Sequence, residues 1–163
     1  DINEITKNYY KFTFVRNPWD RCTSRYFYVK SRKNNPRTRH YQNTTFRDFI
    51  INKDNYFFLN SEWCQYSPNL YWEHMYNSPF DQQIKWISNE KGKVLTDFIG
   101  RFENLQEDFN TVCDKIEIPQ HQLPHCNKTN HKHYTEYYDA ELREIIANRF
   151  REDIEYFGYK FGE

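Results

Sequence analysis

The sequence predicts one α/β domain over residues 1–163, with a small parallel sheet flanked by helices. Two stretches support this class, because each has the pattern of a short apolar strand followed by an amphipathic helix. The first is the strand Phe12–Val15 with a helix that starts near Pro18, and the second is a strand over 94–99 with a helix over 103–116. The chain shows no internal repeat and no linker-like stretch, so its 163 residues are expected to fold together.

The first strand and helix place an arginine where an anion is expected to bind. The run FTFV at Phe12–Val15 is aromatic and β-branched, and Pro18 stops it, because proline lacks the N–H that a ladder needs and suits the first turn of a helix. Arg16 therefore ends the strand beside a helix amino terminus, whose N–H groups and positive dipole favour an anion. Ser24 follows Asn17 by seven residues, about two helical turns, and returns to the same face.

Arg16 and Ser24 are therefore candidates for binding one phosphate group, since a guanidinium, a helix start and a hydroxyl converge there. A purely structural interpretation stays open beside it. An arginine after a strand is often a surface ion-pair partner, here of Asp20, and a serine in a helix often bonds its own backbone.

Capping signals predict further helices. Thr45-x-x-Asp48 and Ser78-Pro79-x-Asp81 resemble capping boxes, each ahead of a short amphipathic helix. Asp139 is placed to cap one last helix. The apolar stripe of that last helix is formed by Leu142, Ile145, Ile146, Phe150 and Ile154.

Two loop-like regions lie between these elements. The region 31–44 is basic, and the region 52–77 contains an aromatic group made of Trp63, Tyr66, Tyr71 and Trp72. The aromatic group has two interpretations, a core hairpin or a platform for sugar rings. Ligand recognition commonly falls on loops of this kind, so both regions are candidates for binding an anionic glycan.

Charge is distributed unevenly along the chain, although the formal net charge is zero. Residues 1–60 carry 12 Lys/Arg against 5 Asp/Glu, whereas residues 61–163 carry 11 against 18. The basic excess is concentrated between Arg16 and Arg39, where eight Lys/Arg face one acid, Asp20. Two interpretations stay open: a solvated helix and loop, or a surface for a polyanion such as a nucleotide, a sulfated glycan or nucleic acid.

The cysteines and histidines give no clear metal or disulfide pattern. The four cysteines have no CxxC spacing, and both buried thiols and any of three disulfide pairings are compatible with the sequence: Cys22, Cys64, Cys113 and Cys126. A second group could in principle ligate zinc, but its spacing H-x3-H-C-x4-H-x-H fits no strong zinc pattern: His121, His125, Cys126, His131 and His133. We therefore predict no metal.

No apolar run in the sequence approaches the length of a membrane span.

Four segments carry a resemblance to a known family. FTFVRNPWDRCTSRYFY resembles the 3′-phosphate-binding segment of sulfotransferases that use 3′-phosphoadenosine 5′-phosphosulfate (PAPS), in which an arginine ends a strand and a serine follows eight residues later. Arg16 and Ser24 match that spacing. DFIGRFENLQEDF at 97–109, LPHCNKTNHKHYTEYYD at 123–139 and DIEYFGYKF at 153–161 resemble the carbohydrate sulfotransferase branch in the same order.

The resemblance implies a fold, a donor and a set of binding residues. The fold is a P-loop nucleotide-kinase-like α/β sandwich, and the activity is transfer of a sulfuryl group from PAPS to a hydroxyl, here of a carbohydrate, without a metal and without a nucleic-acid partner. Arg16 and Ser24 would bind the 3′-phosphate of PAPS. From the loop NKTNHKHY, Lys128 and Lys132 would supply positive charge and Tyr134 would stack on adenine.

The chain also departs from the family pattern. Sulfotransferases hold the 5′-phosphosulfate with a lysine-bearing loop after their first strand, and nothing of that type precedes Phe12. The catalytic base, often a histidine, tends to lie between that loop and the arginine segment, but no histidine occurs before His40. We therefore assign no catalytic residue. We expect either that the native chain extends upstream or that this is a noncatalytic domain that binds a nucleotide or sulfated glycan.

Overall fold

The computed structural model describes residues 7–34, 36–52, 82–126 and 128–163. The chain divides into two compact units. Asp1–Asn17 and Gln83–Cys126 form the first unit, and Pro18–Gln82 and Asn127–Glu163 form the second. One domain over residues 1–163 stays a prediction.

The first unit contains a two-stranded parallel sheet among its described residues. Strand β1 spans Phe12–Val15 and strand β2 spans Phe98–Arg101. Their register pairs Phe12 with Phe98 and Val15 with Arg101, so both strands end at the same edge of the sheet. The α/β class and the small parallel sheet are therefore confirmed, whereas the kinase-like sandwich stays a prediction.

The second strand starts later than its apolar run indicates. We predicted a strand over 94–99 that Gly100 ends, but β2 starts at Phe98 and runs through Gly100 to Arg101. Val94 instead forms an isolated antiparallel bridge with Ser88. The ladder begins where Lys11 accepts two N–H groups at its carbonyl oxygen, from the residues at 97 and 98. A partner distant in the sequence thus sets the strand's start, and a local apolar run does not reveal that partner.

Gly100 lies inside β2 because a ring packs against it. A Cβ atom added there would lie 2.6 Å from two carbons of the Phe14 ring and 3.0 Å from Cβ of Asp108. Only a residue without a side chain leaves room for that approach. Gly100 is therefore a packing position and not the end of the strand.

Helical elements precede and follow β2 along the chain. Helix α3 spans Gln83–Ile87, a 3₁₀ turn spans Phe102–Asn104, and helix α4 spans Leu105–Lys115. The helix predicted over 103–116 is thus confirmed, although its first turn is a separate 3₁₀ turn. The capping box at 78–81 lies outside the described residues.

The second unit is helical among its described residues. Its elements are α1 (Pro18–Ser31), a 3₁₀ helix (Pro36–Asn43), α2 (Phe46–Ile51), a 3₁₀ turn (Tyr134–Tyr137), α5 (Ala140–Arg149) and α6 (Arg151–Phe157). Pro18 occupies the first helical position of α1, as the sequence predicts. Helices α1, α2 and α5 share one apolar core, whose members include Trp19, Tyr26, Phe49, Ile146 and Phe150.

Two helix caps are confirmed, and one predicted helix is divided. The Thr45 hydroxyl accepts the Asp48 N–H at 3.1 Å, and the Asp139 carboxylate accepts the Leu142 N–H at 2.8 Å. We predicted one last helix through Ile154, but α5 and α6 are separated at Phe150, whose φ of −109° and ψ of 31° leave the helical range. Phe150 is fully buried, so packing of its ring overrides the continuity of the helix.

Cysteine thiols are buried in both units. Cys22 and Cys113 are buried and not disulfide-bonded, Cys126 is exposed and not disulfide-bonded, and Cys64 lies outside the described residues. Burial raises the pKa of Cys22 from its ordinary value of 9.0 to about 12. Because the folded pKa is the higher one, this thiol contributes stability that is full below the unfolded pKa of 9.0 and is lost as the pH rises toward 12.

Alkylation should therefore distinguish two of these cysteines. With iodoacetamide near pH 8, we expect Cys126 to react in the native protein and Cys22 to stay unmodified, because the thiolate is the reactive form and Cys22 is buried as the thiol. Peptide mapping by mass spectrometry measures both sites. Unfolding in urea is the control and should make Cys22 reactive, whereas equal rates in the native protein would contradict the burial of Cys22.

Within the described ranges, no helix combines the length and the apolar character that crossing a membrane requires.

Candidate functional site

The carboxyl edge of the sheet holds the arginine that the sequence analysis singled out. Arg16 follows the last residue of β1, and only Asn17 separates it from the first residue of α1. Its backbone is bound on both sides by one glutamine. The Arg16 N–H donates to Oε1 of Gln83 at 3.0 Å, and Nε2 of Gln83 donates to the Arg16 carbonyl at 2.9 Å. The main chain at Arg16 is thus held by helix α3.

The side chain of Arg16 lies over an aromatic ring. Its guanidinium carbon is 4.1 Å from the centroid of the Phe102 ring. Phe102 is the first residue after β2. A cation–π contact of this kind contributes about 0.5–1 kcal/mol at an exposed site. It occupies a face of the guanidinium, whereas hydrogen bonds to a phosphate use the N–H edge. The contact is therefore compatible with anion binding.

Two carboxylates accept backbone N–H groups at the ends of the strands. Glu103 accepts the N–H of Asn17 at 2.7 Å, and Asp108 accepts the N–H of Arg101 at 2.5 Å. Asn17 is fully buried, so its N–H needs such an acceptor. The segment 97–109 therefore contributes Glu103, Asp108 and the Phe102 ring to this edge. The sequence alone indicates no role for these residues beyond the family resemblance of their segment, and the acids just after the strand are the signal that it offers.

Ser24 is part of the second unit and lies half-buried on α1. Its neighbour Thr23 is fully buried and donates its hydroxyl to the Trp19 carbonyl at 3.0 Å, so that hydroxyl is used in a hydrogen bond within α1. Arg16 belongs to the first unit. A shared contact of Arg16 and Ser24 with one phosphate therefore stays a prediction.

The two lysines of the loop differ in their surroundings. Lys128 is exposed. Lys132 donates to the Glu136 carboxylate at 2.9 Å, and this hydrogen bond raises the pKa of Lys132. Both side chains of that pair are exposed, so the bond is weak in water and a stronger anion can compete for the lysine. A role for either lysine in binding PAPS stays a prediction.

Tyr134 has a structural position. Only 3% of the residue is exposed, and its ring packs edge-on against Phe161 with centroids 5.5 Å apart. Its hydroxyl accepts the Gly162 N–H at 2.7 Å and donates to the Glu163 carbonyl at 3.0 Å. The residue thus attaches the carboxyl-terminal segment to the loop. Stacking of Tyr134 on adenine stays a prediction, although so little exposed ring does not favour it.

A histidine that sequence reasoning considered only for zinc has an aromatic partner. The rings of His131 and Phe27 are stacked, with centroids 4.7 Å apart and an angle of 15° between the planes. Nδ1 of His131 is 2.7 Å from the Lys132 carbonyl, which can only accept, so Nδ1 carries a proton.

Over the part of the chain that the structure describes, no group of three or more His, Cys, Asp or Glu residues is arranged to hold a metal ion.

The basic run includes two arginines beside one tyrosine. Guanidinium carbons of Arg25 and Arg32 lie 5.7 and 4.8 Å from the centroid of the Tyr28 ring. Burial lowers the pKa of Arg25, and the group stays charged at neutral pH, since arginine retains its proton in proteins. An open depression at the end of α1 is lined by Ser31, Arg32, Lys33 and Asn34.

Comparison with known proteins decides the family. The Sulfotransferase family matches residues 1–160, which is nearly the whole chain. The chain belongs to the sulfotransferase family. An uncharacterized protein of Archaeoglobus fulgidus is 33% identical over 117 residues, a match that covers 72% of this chain and 75% of that protein. No solved structure matches this sulfotransferase chain.

Family membership confirms the resemblance at the level of the sulfotransferases. It supports sulfuryl transfer as the class of activity, with a donor and an acceptor as partners. The arginine segment of this sulfotransferase, Phe12–Val15 and the helix Pro18–Ser31, has the strand-to-helix arrangement that the resemblance implied.

Proposed function

We propose that this sulfotransferase transfers the sulfuryl group of PAPS to a hydroxyl of a carbohydrate. One observation carries the proposal: Arg16 stands at the carboxyl end of a parallel strand, with one residue between it and the start of a helix. In open α/β folds, ligands bind outside the carboxyl ends of the strands. We also propose the kinase-like α/β sandwich as the fold. In that fold, the parallel pair β1 and β2 would be part of a larger parallel sheet.

The 3′-phosphate of PAPS is the group that we assign to this position. The guanidinium of Arg16 can offer two parallel N–H donors to phosphate oxygens, and the amino terminus of α1, which follows two residues later in the chain, would add backbone N–H groups and a positive dipole. Ser24 would add a hydroxyl. Lys128 and Lys132 would add charge, the second after leaving Glu136. This assignment rests on chain order, spacing and family membership.

The proposed reaction is an in-line displacement at sulfur. A base takes the proton of the acceptor hydroxyl, the oxygen forms a bond to sulfur, and the bond between sulfur and the 5′-phosphate oxygen breaks. The products are a sulfate ester and adenosine 3′,5′-bisphosphate. Positioning of the donor and stabilisation of the leaving phosphate by cations lower the barrier, and the displacement requires no metal. Arg16 would orient the donor through its 3′-phosphate, and the base is not assigned.

Ser24 offers a first prediction for this site. Replacement of Ser24 by alanine should weaken the binding of adenosine 3′,5′-bisphosphate by about ten-fold or somewhat more, because a hydrogen bond to a charged group contributes roughly 1.5–3 kcal/mol. Adenosine 5′-phosphate should bind almost unchanged. Calorimetry measures both affinities. Ser31→Ala is a matched control, because that hydroxyl donates to the Tyr28 carbonyl at 2.8 Å at the other end of α1.

The acceptor is proposed from the basic surface. Arg25, Arg32 and Lys33 concentrate positive charge on the second half of α1 and just beyond it, and the guanidinium groups of both arginines lie near the Tyr28 ring. Positive charge beside an aromatic ring suits a glycan that carries carboxylate or sulfate groups. The aromatic group at 63–72 stays a second candidate, and it lies outside the described residues.

Sulfuryl transfer with labelled PAPS tests the proposal. The full-length native protein is incubated with an anionic oligosaccharide, a neutral oligosaccharide and a small phenol, and labelled products are counted. We expect transfer to the oligosaccharides, with the anionic one preferred. Transfer to the phenol alone would overturn the carbohydrate assignment. Binding of PAPS without transfer to any acceptor would instead support the noncatalytic binding domain.

A further inference from the structure

We propose that Gln83 and Phe102 are positioning residues for Arg16. They hold its main chain and its guanidinium in the position from which Arg16 binds the 3′-phosphate. This inference rests on the proposed function, because it gives Arg16 a phosphate to bind. It goes beyond that function in assigning roles to two side chains that touch no part of the ligand. Both belong to the first unit, as Arg16 does.

Directly after the end of β1, the Gln83 side chain binds backbone groups of Arg16 as a neighbouring strand would. Its side chain makes two hydrogen bonds with the Arg16 backbone: Oε1 accepts the Arg16 N–H at 3.0 Å, and Nε2 donates to the Arg16 carbonyl at 2.9 Å. Two residues of an antiparallel pair exchange bonds in the same manner. The residue is only 9% exposed, so water competes little for its amide. The main chain of Arg16 is therefore fixed beyond the end of the strand.

A primary amide is required for this arrangement. Glutamine has an acceptor and a donor on one head group, whereas an ionised glutamate has only acceptors and would repel the Arg16 carbonyl. Methionine has a similar length and volume but can offer neither bond. Gln83→Met thus removes both bonds to Arg16 with little change in packing.

Phe102 holds the other end of the arginine. The guanidinium lies 4.1 Å from the ring centroid, and Phe102 comes directly after β2, whose last residue pairs with the last residue of β1. An arginine side chain loses considerable rotamer freedom when it is fixed, and a ring beneath it removes part of that freedom before a ligand arrives. Phe102 itself is 44% exposed, so the ring does little for the apolar core. Its contact with Arg16 is its best-defined role.

The test compares the affinity of the full-length native protein for adenosine 3′,5′-bisphosphate with its affinity for adenosine 5′-phosphate. The ratio of the two affinities isolates the 3′-phosphate, because partial unfolding of a variant lowers both affinities alike. We expect Gln83→Met to reduce the ratio by about ten-fold, less than the hundred-fold that a displacement of about 1 Å can cost a reacting geometry. Phe102→Leu should reduce it by about two- to five-fold, and Phe102→Tyr should retain the wild-type ratio.

Matched controls separate positioning from stability. Gln106 also binds two backbone groups in the first unit, donating to the His121 carbonyl at 3.0 Å and accepting the Leu123 N–H at 2.8 Å. Gln106→Met should therefore destabilise the fold without changing the ratio. In an Arg16→Ala background, Gln83→Met and Phe102→Leu should have no further effect on the ratio, because both act through Arg16.

The outcomes distinguish this inference from the proposed function. A wild-type ratio near one would overturn both, since no 3′-phosphate site would exist for Arg16 to serve. A ratio that Arg16→Ala strongly reduces, but that Gln83→Met and Phe102→Leu leave at the wild-type value, would overturn the positioning roles alone. A decrease of the same size in Gln106→Met would also overturn them, because the effect would then not depend on contact with Arg16.

Discussion

Replacing Arg16 by alanine should remove most of the preference of this protein for adenosine 3′,5′-bisphosphate over adenosine 5′-phosphate. The two ligands differ only in the 3′-phosphate, so contacts with their shared parts cancel in the comparison. Two charge-assisted hydrogen bonds of roughly 1.5–3 kcal/mol each would be lost, so the bisphosphate should bind at least about 100-fold more weakly. Calorimetry on the full-length native protein measures the affinity for each nucleotide.

The lysine variant tests the geometry of the contact. Arg16→Lys keeps the positive charge but loses the planar pair of donors, so it should recover only part of the lost affinity. Arg143→Ala is a matched control, because the Arg143 guanidinium also lies over a ring, 4.9 Å from the centroid of Phe161, but in the second unit. It should leave the preference intact. If Arg16→Ala is folded and keeps the preference, Arg16 does not bind the 3′-phosphate.

Gly100→Ala should destabilise the sheet that carries Arg16. The added Cβ would lie 2.6 Å from the Phe14 ring, well inside van der Waals contact. Overpacking of this kind costs about 1–3 kcal/mol, and the reduced freedom of the unfolded chain offsets about 0.4–1 kcal/mol of that cost. We therefore expect a net loss of about 1–2 kcal/mol, which lowers Tm by roughly 2–8 °C in a protein of this size. Thermal unfolding followed by circular dichroism measures the shift.

A second substitution identifies the cause of that loss. Phe14→Leu removes part of the ring that Gly100 faces, so the double variant should lose less stability than the two single losses added together. Simple additivity would mean that Gly100→Ala acts through something other than the ring. A Gly100→Ala variant as stable as wild type would contradict the close approach of the two strands.

Local signals predicted the elements that local chemistry determines. Pro18 opens α1, and Thr45 and Asp139 cap their helices through bonds that reach only three residues. The start of β2 was wrong because Phe98 depends on a backbone bond to Lys11, which is far away in the sequence. An apolar run carries no information about such a partner.

The candidate site follows the same division. The position of Arg16 at a strand end could be predicted from its neighbours, but Gln83 could not, because it lies 67 residues away and resembles any polar helix residue. Phe102 belongs to a segment whose resemblance was noted, yet only the structure shows its ring under the guanidinium of Arg16. The resemblance implied that Tyr134 stacks on adenine, and only the structure shows that this residue is buried, with its hydroxyl bonded to Gly162 and Glu163.

The most direct measurement of 3′-phosphate recognition in catalysis compares two sulfuryl donors. PAPS and adenosine 5′-phosphosulfate carry the same reacting group and differ only in the 3′-phosphate. With the full-length native protein and an anionic oligosaccharide, we expect kcat/KM for PAPS to exceed that for adenosine 5′-phosphosulfate by about 100-fold, in line with the loss of a bidentate charged contact. Equal kcat/KM for the two donors would contradict a 3′-phosphate site at Arg16.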